Sequence, residues 1–332
     1  MARNPIPSPH EVRAILAVRN DRFGEFLLNI PVFKALKQRF ANATLTVVVD
    51  PYVEGLAHLI PSIDEVVCFG SQKHSLAELI LLHRMLKKKR FDVALILNPT
   101  RDMHMLSFGL GIPVRVGYKR KCPFFLTHTI IDNKALGLKH EIDANLELAA
   151  LLGVSAQDRA VSLQLDKNRV DAFMNEHNII TQTKPLIAVH PSTSDPVKQW
   201  PVERFQALAL RIVNELAANV VVVGGQAEAG VMRQSFDNLA SGVVNLIGKT
   251  SLPDLAGVLS HCAALVSGDS GPVHLASAVG IPVVALFRND LQGKTAHRWG
   301  PASQRSIVLE APRLSDISVS DVFLKVKELV KP

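Results

Sequence analysis

Little in this sequence can build a disulfide framework or a metal cluster. Only three of its 332 residues are cysteine, at positions 68, 122 and 262, far apart and with no CxxC pair. Reduced thiols with a structural role are therefore expected. Aromatic residues are also scarce, at 5%, and none interleaves with the basic clusters as a base-stacking motif would, so nucleic acid is not an expected partner. Apolar runs are strand-sized, short of the roughly 18 to 20 residues that span a bilayer. The opening MARNPIPSPHEVRAIL shows no apolar core of a secretory signal, and a cytoplasmic location is expected. With 48% hydrophobic and 20% charged residues, the chain is neither disordered nor fibrous and is long enough for two domains.

Familiar chemical signatures are missing too. No G-x-G-x-x-G follows a strand-like run, no H-E-x-x-H occurs among the twelve histidines, and no G-x-S-x-G is present. Nicotinamide-dinucleotide enzymes, zinc peptidases and α/β-hydrolases all lose ground. The segment GVVNLIGKTS has the look of a phosphate-binding loop, but Gly242 stands one residue too far from Gly248, Lys249 and Thr250. Ser251, Pro253 and Asp254 read better as a capped helix start. A D-x-D metal motif is absent as well, so neither a metal nor another cofactor is expected.

What the chain does have is an uneven charge. Its formal net charge is +7, yet residues 1–134 hold 19 Lys and Arg against 11 Asp and Glu, which is +8, leaving −1 for the remainder (18 against 19). The clusters Lys87, Lys88, Lys89, Arg90 and Arg115, Lys119, Arg120, Lys121 suit phosphates or an anionic membrane surface. The first cluster also complements the C-terminal end of the helix SLAELILLHRMLKKKR.

Short β-rich runs alternate with helical periodicity throughout, the signature of parallel sheets covered by helices. The fold class is α/β. Strands are expected at 12–18, 44–49, 65–69, 92–97 and 113–117, then at 185–190, 219–224, 243–248, 263–268 and 282–287, with helices at 24–40, 75–89 and about 141–152. Two doubly wound, Rossmann-like domains facing across a cleft are expected, covering residues 1–170 and 180–332, with the junction near 165–183. The last helical stretch could pack on either domain. Ligands of such sheets bind beyond the carboxyl ends of the strands.

Three loops there carry chemistry. In LVSGDSGPVHLASAVGIPVVALF (265–287) a strand leads through Gly268, Asp269, Ser270 and Gly271 into a helix opened by Pro272. The amides of Ser270, Gly271 and Val273 at that helix start suit a phosphate. Asp269 would repel the phosphate and fits a neutral polyol, unless it only caps the helix; His274 either donates to a phosphate oxygen or packs. In AVHPSTSDPVKQWPVERFQALA (188–209) the hydroxyls of Ser192, Thr193 and Ser194 and the cation Lys198 suit a leaving diphosphate, although Lys198 also reads as an exposed loop lysine. In VRNDRFGEFLLNIPVFKALKQRF (18–40) Glu25 or Asp21 is the candidate general base, and either could instead complement the helix dipole.

Taken together the three segments resemble glycosyltransferase family 9, the bacterial heptosyltransferases, which have the GT-B fold. The resemblance runs nearly the whole chain: R-x-D-R-x-G-[DE] at the N-terminus, the central H-P-x-x-S…K-x-W-P-x-E-R-F, and the [GD]-x-S/T-G-x-x-H-L-A segment. Gly111 to Tyr118, and His140 with Asn145 and Leu146, agree as well. The resemblance puts the family's sugar-binding aspartate on Asp269 and its phosphate contacts on Ser192, Thr193, Lys198, Ser270, Gly271 and His274. It puts the ribose-recognising acid on Glu228 and the catalytic aspartate on Glu25. Glutamate at that position departs from the family's pattern, and Asp21 stands near enough to serve.

The resemblance further implies inverting transfer from a nucleotide diphosphate sugar, ADP-heptose, to a lipid-linked core oligosaccharide of lipopolysaccharide, at the cytoplasmic face of the inner membrane. Arg22, Arg101, Arg115, Lys119, Arg120 and Lys121 are then the cations for an anionic acceptor. Two other readings stand beside it: a non-catalytic sugar-nucleotide or lipopolysaccharide-binding relative, and a sugar-nucleotide epimerase of the same architecture.

Overall fold

A computed structural model of the chain describes residues 5–155, 158–179, 184–226 and 229–330. It divides into two compact units, one of residues 1–135 with 139–160, the other of 136–138 with 161–332. Each unit is built on one six-stranded sheet, and every strand pairing is parallel.

In the first unit the strands are β1 (Ala14–Val18), β2 (Thr44–Val49), β3 (Glu65–Cys68), β4 (Val93–Ile96), β5 (Val114–Tyr118) and β6 (His128–Ile130), in the order β3-β2-β1-β4-β5-β6. Helices cover both faces of such a sheet, so its central strands read as unbroken apolar runs. AILAV of β1 is buried from Ile15 onward, with Leu16 in register between Thr46 and Ala94. The second unit repeats the scheme. Its strands are β7 (Leu186–His190), β8 (Asn219–Val222), β9 (Val243–Asn245), β10 (Ala264–Gly268), β11 (Val283–Arg288) and β12 (Ile307–Ala311), ordered β12-β11-β10-β7-β8-β9. In both units the chain leaves the first strand to one side and returns on the other. Each sheet therefore has a switch point, at β1/β4 and at β7/β10, where a crevice opens beyond the strand ends.

The ten expected strands are all present, and the two that sequence reading misses, β6 and β12, are the edge strands on one side of each sheet. Edge strands are half-solvated, so their apolar signal is weak: Ile307–Ala311 alternates between half-buried and exposed before ending buried. The helix expected at 24–40 is two helices, Phe23–Leu27 and Ile30–Arg39. Pro31 sits in the first turn of the second, where its missing N–H leaves no bond unmade.

The domain junction lies earlier than expected. Inside the polar stretch 165–183 is a helix, Lys167–Glu176, capped by Asp166, which accepts from the amides of Asn168 and Arg169. It packs within the second unit: a Cβ added at Gly257 would lie 2.7 Å from Val170, and Arg169 pairs with Asp254 at 2.8 Å. The last helix, Val319–Val330, also belongs there. It lies against the helix Val202–Glu215, with Arg211 stacked 4.1 Å from the Phe323 ring centroid.

Candidate active site

Loops that follow the switch-point strands carry most of the residues singled out by sequence. In the second unit, β10 ends at Gly268, where an added Cβ would already sit 3.4 Å from the Lys198 carbonyl. The loop after β7 thus passes over the strand end. Asp195 fixes that loop by accepting from the amide of Val197, opening a short turn over Pro196–Lys198. The result is an ion pair between the Lys198 ammonium and the Asp269 carboxylate, both largely buried. Burial raises the Asp269 pKa and Lys198 opposes that rise. A second cation, Lys294, reaches Asp195 at 3.5 Å.

Beneath the pair runs a chain of hydroxyls around one imidazole. His190, the last residue of β7, places Nε2 3.1 Å from Ser192 Oγ and Nδ1 3.1 Å from Ser267 Oγ and 3.2 Å from Ser270 Oγ. Ser267 and Ser270 are themselves 2.8 Å apart. His190, Ser192 and Ser267 are all buried. Such a network positions the two loops by hydrogen bonds whose geometry is worth most in a dry setting. Ser270 is the N-cap of the helix Gly271–Ala278 without a side-chain cap bond; Pro272 brings no N–H, so the helix start offers the amides of Ser270 and Gly271 together with the positive end of its dipole.

In the first unit the loop after β1 carries Arg19, Asn20, Asp21 and Arg22 into the helix Phe23–Leu27. Arg19 is buried, and its Nε lies 2.9 Å from Asp21 Oδ1. Its Nη1 donates to the Leu97 carbonyl at 3.3 Å and lies 3.9 Å from Glu141 Oε1. Glu141, 1% exposed, takes a closer bond from Lys134 Nζ at 2.9 Å. Asn20 ties the same loop to β3 by donating to the carbonyls of Phe69 and Gly70, while Asn98, beyond β4, donates to Asn20 Oδ1 at 3.2 Å. Glu25 is half-buried in the first turn of its helix. Burial pushes its carboxyl above the usual range; Arg19 pulls it down and Asp21 pushes it up.

The structure thus gathers Ser192, Lys198, Asp269, Ser270, Gly271 and the buried His274 around the switch point of one sheet. Thr193 lies in the same loop, where its hydroxyl accepts from the Asp195 amide at 3.3 Å. Asp21 and Glu25 stand at the switch point of the other. Three expectations need correction. Asp269 does not cap its helix; it is paired with Lys198. The Val273 amide donates to the Ser270 carbonyl at 3.2 Å and so is not turned toward a ligand. Arg115 is bound up in the fold, with Nε donating to the Phe125 carbonyl at 2.6 Å and Nη1 to that of Ile112. Glu228 lies outside the described residues.

The other cations expected to meet an acceptor sit at carboxyl ends of strands in the first sheet: Arg22 after β1, Arg101 after β4, and Lys119, Arg120 and Lys121 after β5. All five are exposed, although Arg120 pairs with Asp132 at 3.1 Å. Lys121 and Cys122 both adopt left-handed backbone, φ 48° and 63°, and His104 Nδ1 anchors that turn on the Lys121 carbonyl at 2.8 Å. The cysteines are free. Ser267 and Glu141 escaped sequence reading, while Arg19 and His190 open two of the quoted motifs but are given no role there.

Residues 80–324 match the sequence profile of glycosyltransferase family 9 (heptosyltransferase). Lipopolysaccharide heptosyltransferase 2 of Escherichia coli K12 is 25% identical over 289 residues, covering 82% of this chain and 82% of that protein. Among solved structures, a family 9 glycosyl transferase from Veillonella parvula matches 98% of this chain and 99% of its own at a TM-score of 0.86 and 22% identity. The ADP-heptose lipopolysaccharide heptosyltransferase II of E. coli matches 96% and 98% at 0.82 and 21%. These likenesses show a shared two-sheet α/β architecture, that of the GT-B fold.

Proposed function

This chain belongs to glycosyltransferase family 9, and on that premise we propose that it transfers heptose from ADP-heptose, with inversion, onto a lipopolysaccharide core acceptor. The observation that carries the reading is the Lys198–Asp269 pair at the N-terminus of the helix Gly271–Ala278. One arrangement offers a cation and helix amides for a diphosphate and a carboxylate for sugar hydroxyls. The similarity to heptosyltransferase 2 of E. coli supports ADP-heptose as the donor.

The chemistry balances with this chain's own groups. An acceptor hydroxyl attacks the anomeric carbon from the face opposite the diphosphate, the carbon–oxygen bond to the diphosphate breaks, and ADP leaves. Glu25 takes the hydroxyl proton; a carboxylate with a raised pKa is the stronger base. Lys198 and the helix amides neutralise charge growing on the departing diphosphate, an effect that typically supplies several kcal/mol. Asp269 accepts from sugar hydroxyls and fixes the ring. Arg22, Arg101, Lys119, Arg120 and Lys121 meet the anionic groups of the acceptor.

The test is transfer itself. The protein is incubated with ADP-heptose and a heptose-deficient lipopolysaccharide core, products are weighed by mass spectrometry, and the configuration of product and remaining donor is read by NMR. The expected result is an acceptor heavier by one heptose, one ADP released per transfer, and an anomeric configuration opposite to the donor's. Stabilisation by ADP-heptose with no transfer to any core acceptor would reduce the protein to a binding-only relative, and isomerised donor alone would make it an epimerase.

A further inference from the structure

Arg288, the last residue of β11, reaches past the end of the neighbouring strand β10 to the turn that carries Lys198. Its Nη1 donates to the Val197 carbonyl at 3.3 Å. The rest of the guanidinium is already engaged: Nε donates to Asp290 Oδ1 at 2.9 Å and Nη2 to Asp290 Oδ2 at 2.6 Å. A two-point contact of this kind fixes both the plane and the direction of a guanidinium, which a single-point ion pair does not. The fork on Asp290 thus aims the third nitrogen at the carbonyl. The Arg288 side chain is largely covered, with 16% of it exposed.

The contact bears on Lys198 through one peptide plane. The Val197 carbonyl and the Lys198 amide belong to the same planar unit. The amide donates to the Asp195 carbonyl at 2.8 Å, and the carbonyl on its other side is held by Arg288. With both ends of the plane bound, the origin of the Lys198 side chain is fixed. The turn has little else to hold its middle. Pro196–Lys198 is a single turn of 3-10 helix, whose hydrogen-bond geometry is poorer than that of an α-helix, and Val197 is 53% exposed, so burial does not anchor it. Lys294 meets Asp195 at the start of the turn at 3.5 Å, and Gln199 ties its far end by donating to the Pro191 carbonyl at 2.6 Å. Arg288 grips the turn between them, one residue before the ammonium that pairs with Asp269.

We propose that Arg288, braced by Asp290, is a positioning residue that presents Lys198 to the diphosphate of the donor. The inference rests on the reading of Lys198 as a diphosphate ligand and is tested by calorimetric titration of ADP, with no transfer involved. Arg288→Ala should weaken ADP about tenfold in the parent, the size of one charge-assisted hydrogen bond. In a Lys198→Ala background the same change should cost less than about twofold, because Arg288 acts through that side chain. A charge acting directly on the nucleotide would give the same factor in both backgrounds. Arg288→Lys keeps the charge but loses the fork, and should recover only part of the affinity. Asp290→Ala decides by its sign. Removing a carboxylate near an anion site favours ADP by charge alone, whereas an unbraced Arg288 should weaken ADP severalfold. Asp290 is exposed, so thermal unfolding of that variant should match the parent. The proposal is overturned by an equal loss in both backgrounds, by full affinity in Arg288→Ala or Arg288→Lys, or by tighter ADP in Asp290→Ala. Lys198→Ala that binds ADP as the parent does would overturn it together with the reading of Lys198, while a parent that binds ADP and transfers no heptose would overturn the transfer reading alone.

Discussion

Lys198 and Asp269, 71 residues apart in the chain, close one ion pair between the loops that follow two neighbouring strands. The ammonium that should meet a diphosphate is thus held by the carboxylate that should meet a sugar. Both roles are open at once only when the ligand enters between them and shares the cation.

Competition for that cation sets the first prediction. Lys198→Ala should weaken ADP binding and lower kcat by about 10²- to 10³-fold, the cost of removing one charge-stabilising group from a transition state. Asp269→Asn should do the opposite to ADP, which no longer competes with a carboxylate, and tighten it a few-fold, while turnover of the sugar nucleotide falls. Calorimetric titration of ADP into the two variants reads this directly. Unchanged affinity in Asp269→Asn would mean that the diphosphate does not draw on Lys198.

The choice between Asp21 and Glu25 as base follows from Arg19. With Arg19 Nε at 2.9 Å, Asp21 is committed to a buried guanidinium and holds the loop. Glu25→Gln should therefore lower kcat by about 10²- to 10⁴-fold, the usual range for a general base, with ADP binding retained. Asp21→Asn should act more weakly, by loosening Arg19, and Glu25→Asp should recover part of the activity. Equal losses in Asp21→Asn and Glu25→Gln, with matching pH profiles, would assign the proton to the wrong carboxylate.

Ten strands and the loops bearing Asp269, Lys198 and Glu25 are legible in the sequence because each rests on a local signal. Apolar runs announce buried parallel strands, and Gly–Asp–Ser–Gly or Pro after such a run announces a turn into a helix. The edge strands β6 and β12 lack that signal, being only partly covered. Pairing is the other gap. Nothing local shows that Lys198 bonds Asp269, that His190 gathers three serines, or that Arg115 is consumed by two carbonyls, since each contact is made by chain topology. The helix Lys167–Glu176 was hidden for a different reason: it buries little more than Val170 and Met174, so its periodicity is faint.

Glu25 also makes pH a test. Burial is the largest influence on its carboxyl, and the net effect is upward despite Arg19. A base works only when deprotonated, so kcat should fall as pH drops, with the acidic limb above the ordinary glutamate range. Stability carries the same sign. A carboxyl whose pKa is higher folded than unfolded favours folding below the unfolded value and loses that advantage as pH rises through the folded value. Where Glu25 is ionised its charge is a cost, and Glu25→Gln should melt higher than the parent, the gap closing as pH falls from the raised folded value to the ordinary glutamate range. A melting point lowered at neutral pH would show the charge to be stabilising in place.

The largest stability effect is expected at Glu141, which lies at the N-terminus of the helix Glu141–Ala150 and touches no part of the expected chemistry directly. It is 1% exposed, with Lys134 Nζ at 2.9 Å and Arg19 Nη1 at 3.9 Å. Lys134 lies over the Tyr118 ring at 4.3 Å, and burial pulls its pKa down while Glu141 pulls it up. Removing the carboxylate strands the Lys134 ammonium and leaves Arg19 to Asp21 and the Leu97 carbonyl. Breaking a buried pair from one side typically costs about 3 to 5 kcal/mol, because the surviving charge has neither water nor partner. Glu141→Ala should therefore lose about that much in a denaturant titration, and Glu141→Gln, which keeps an acceptor oxygen, rather less. Pairing Glu141→Ala with Lys134→Met should restore part of the loss, since an apolar side chain in place of the stranded ammonium asks for no partner. If the double variant is as unstable as Glu141→Ala alone, the cost lies in packing around the helix start and not in the orphaned charge.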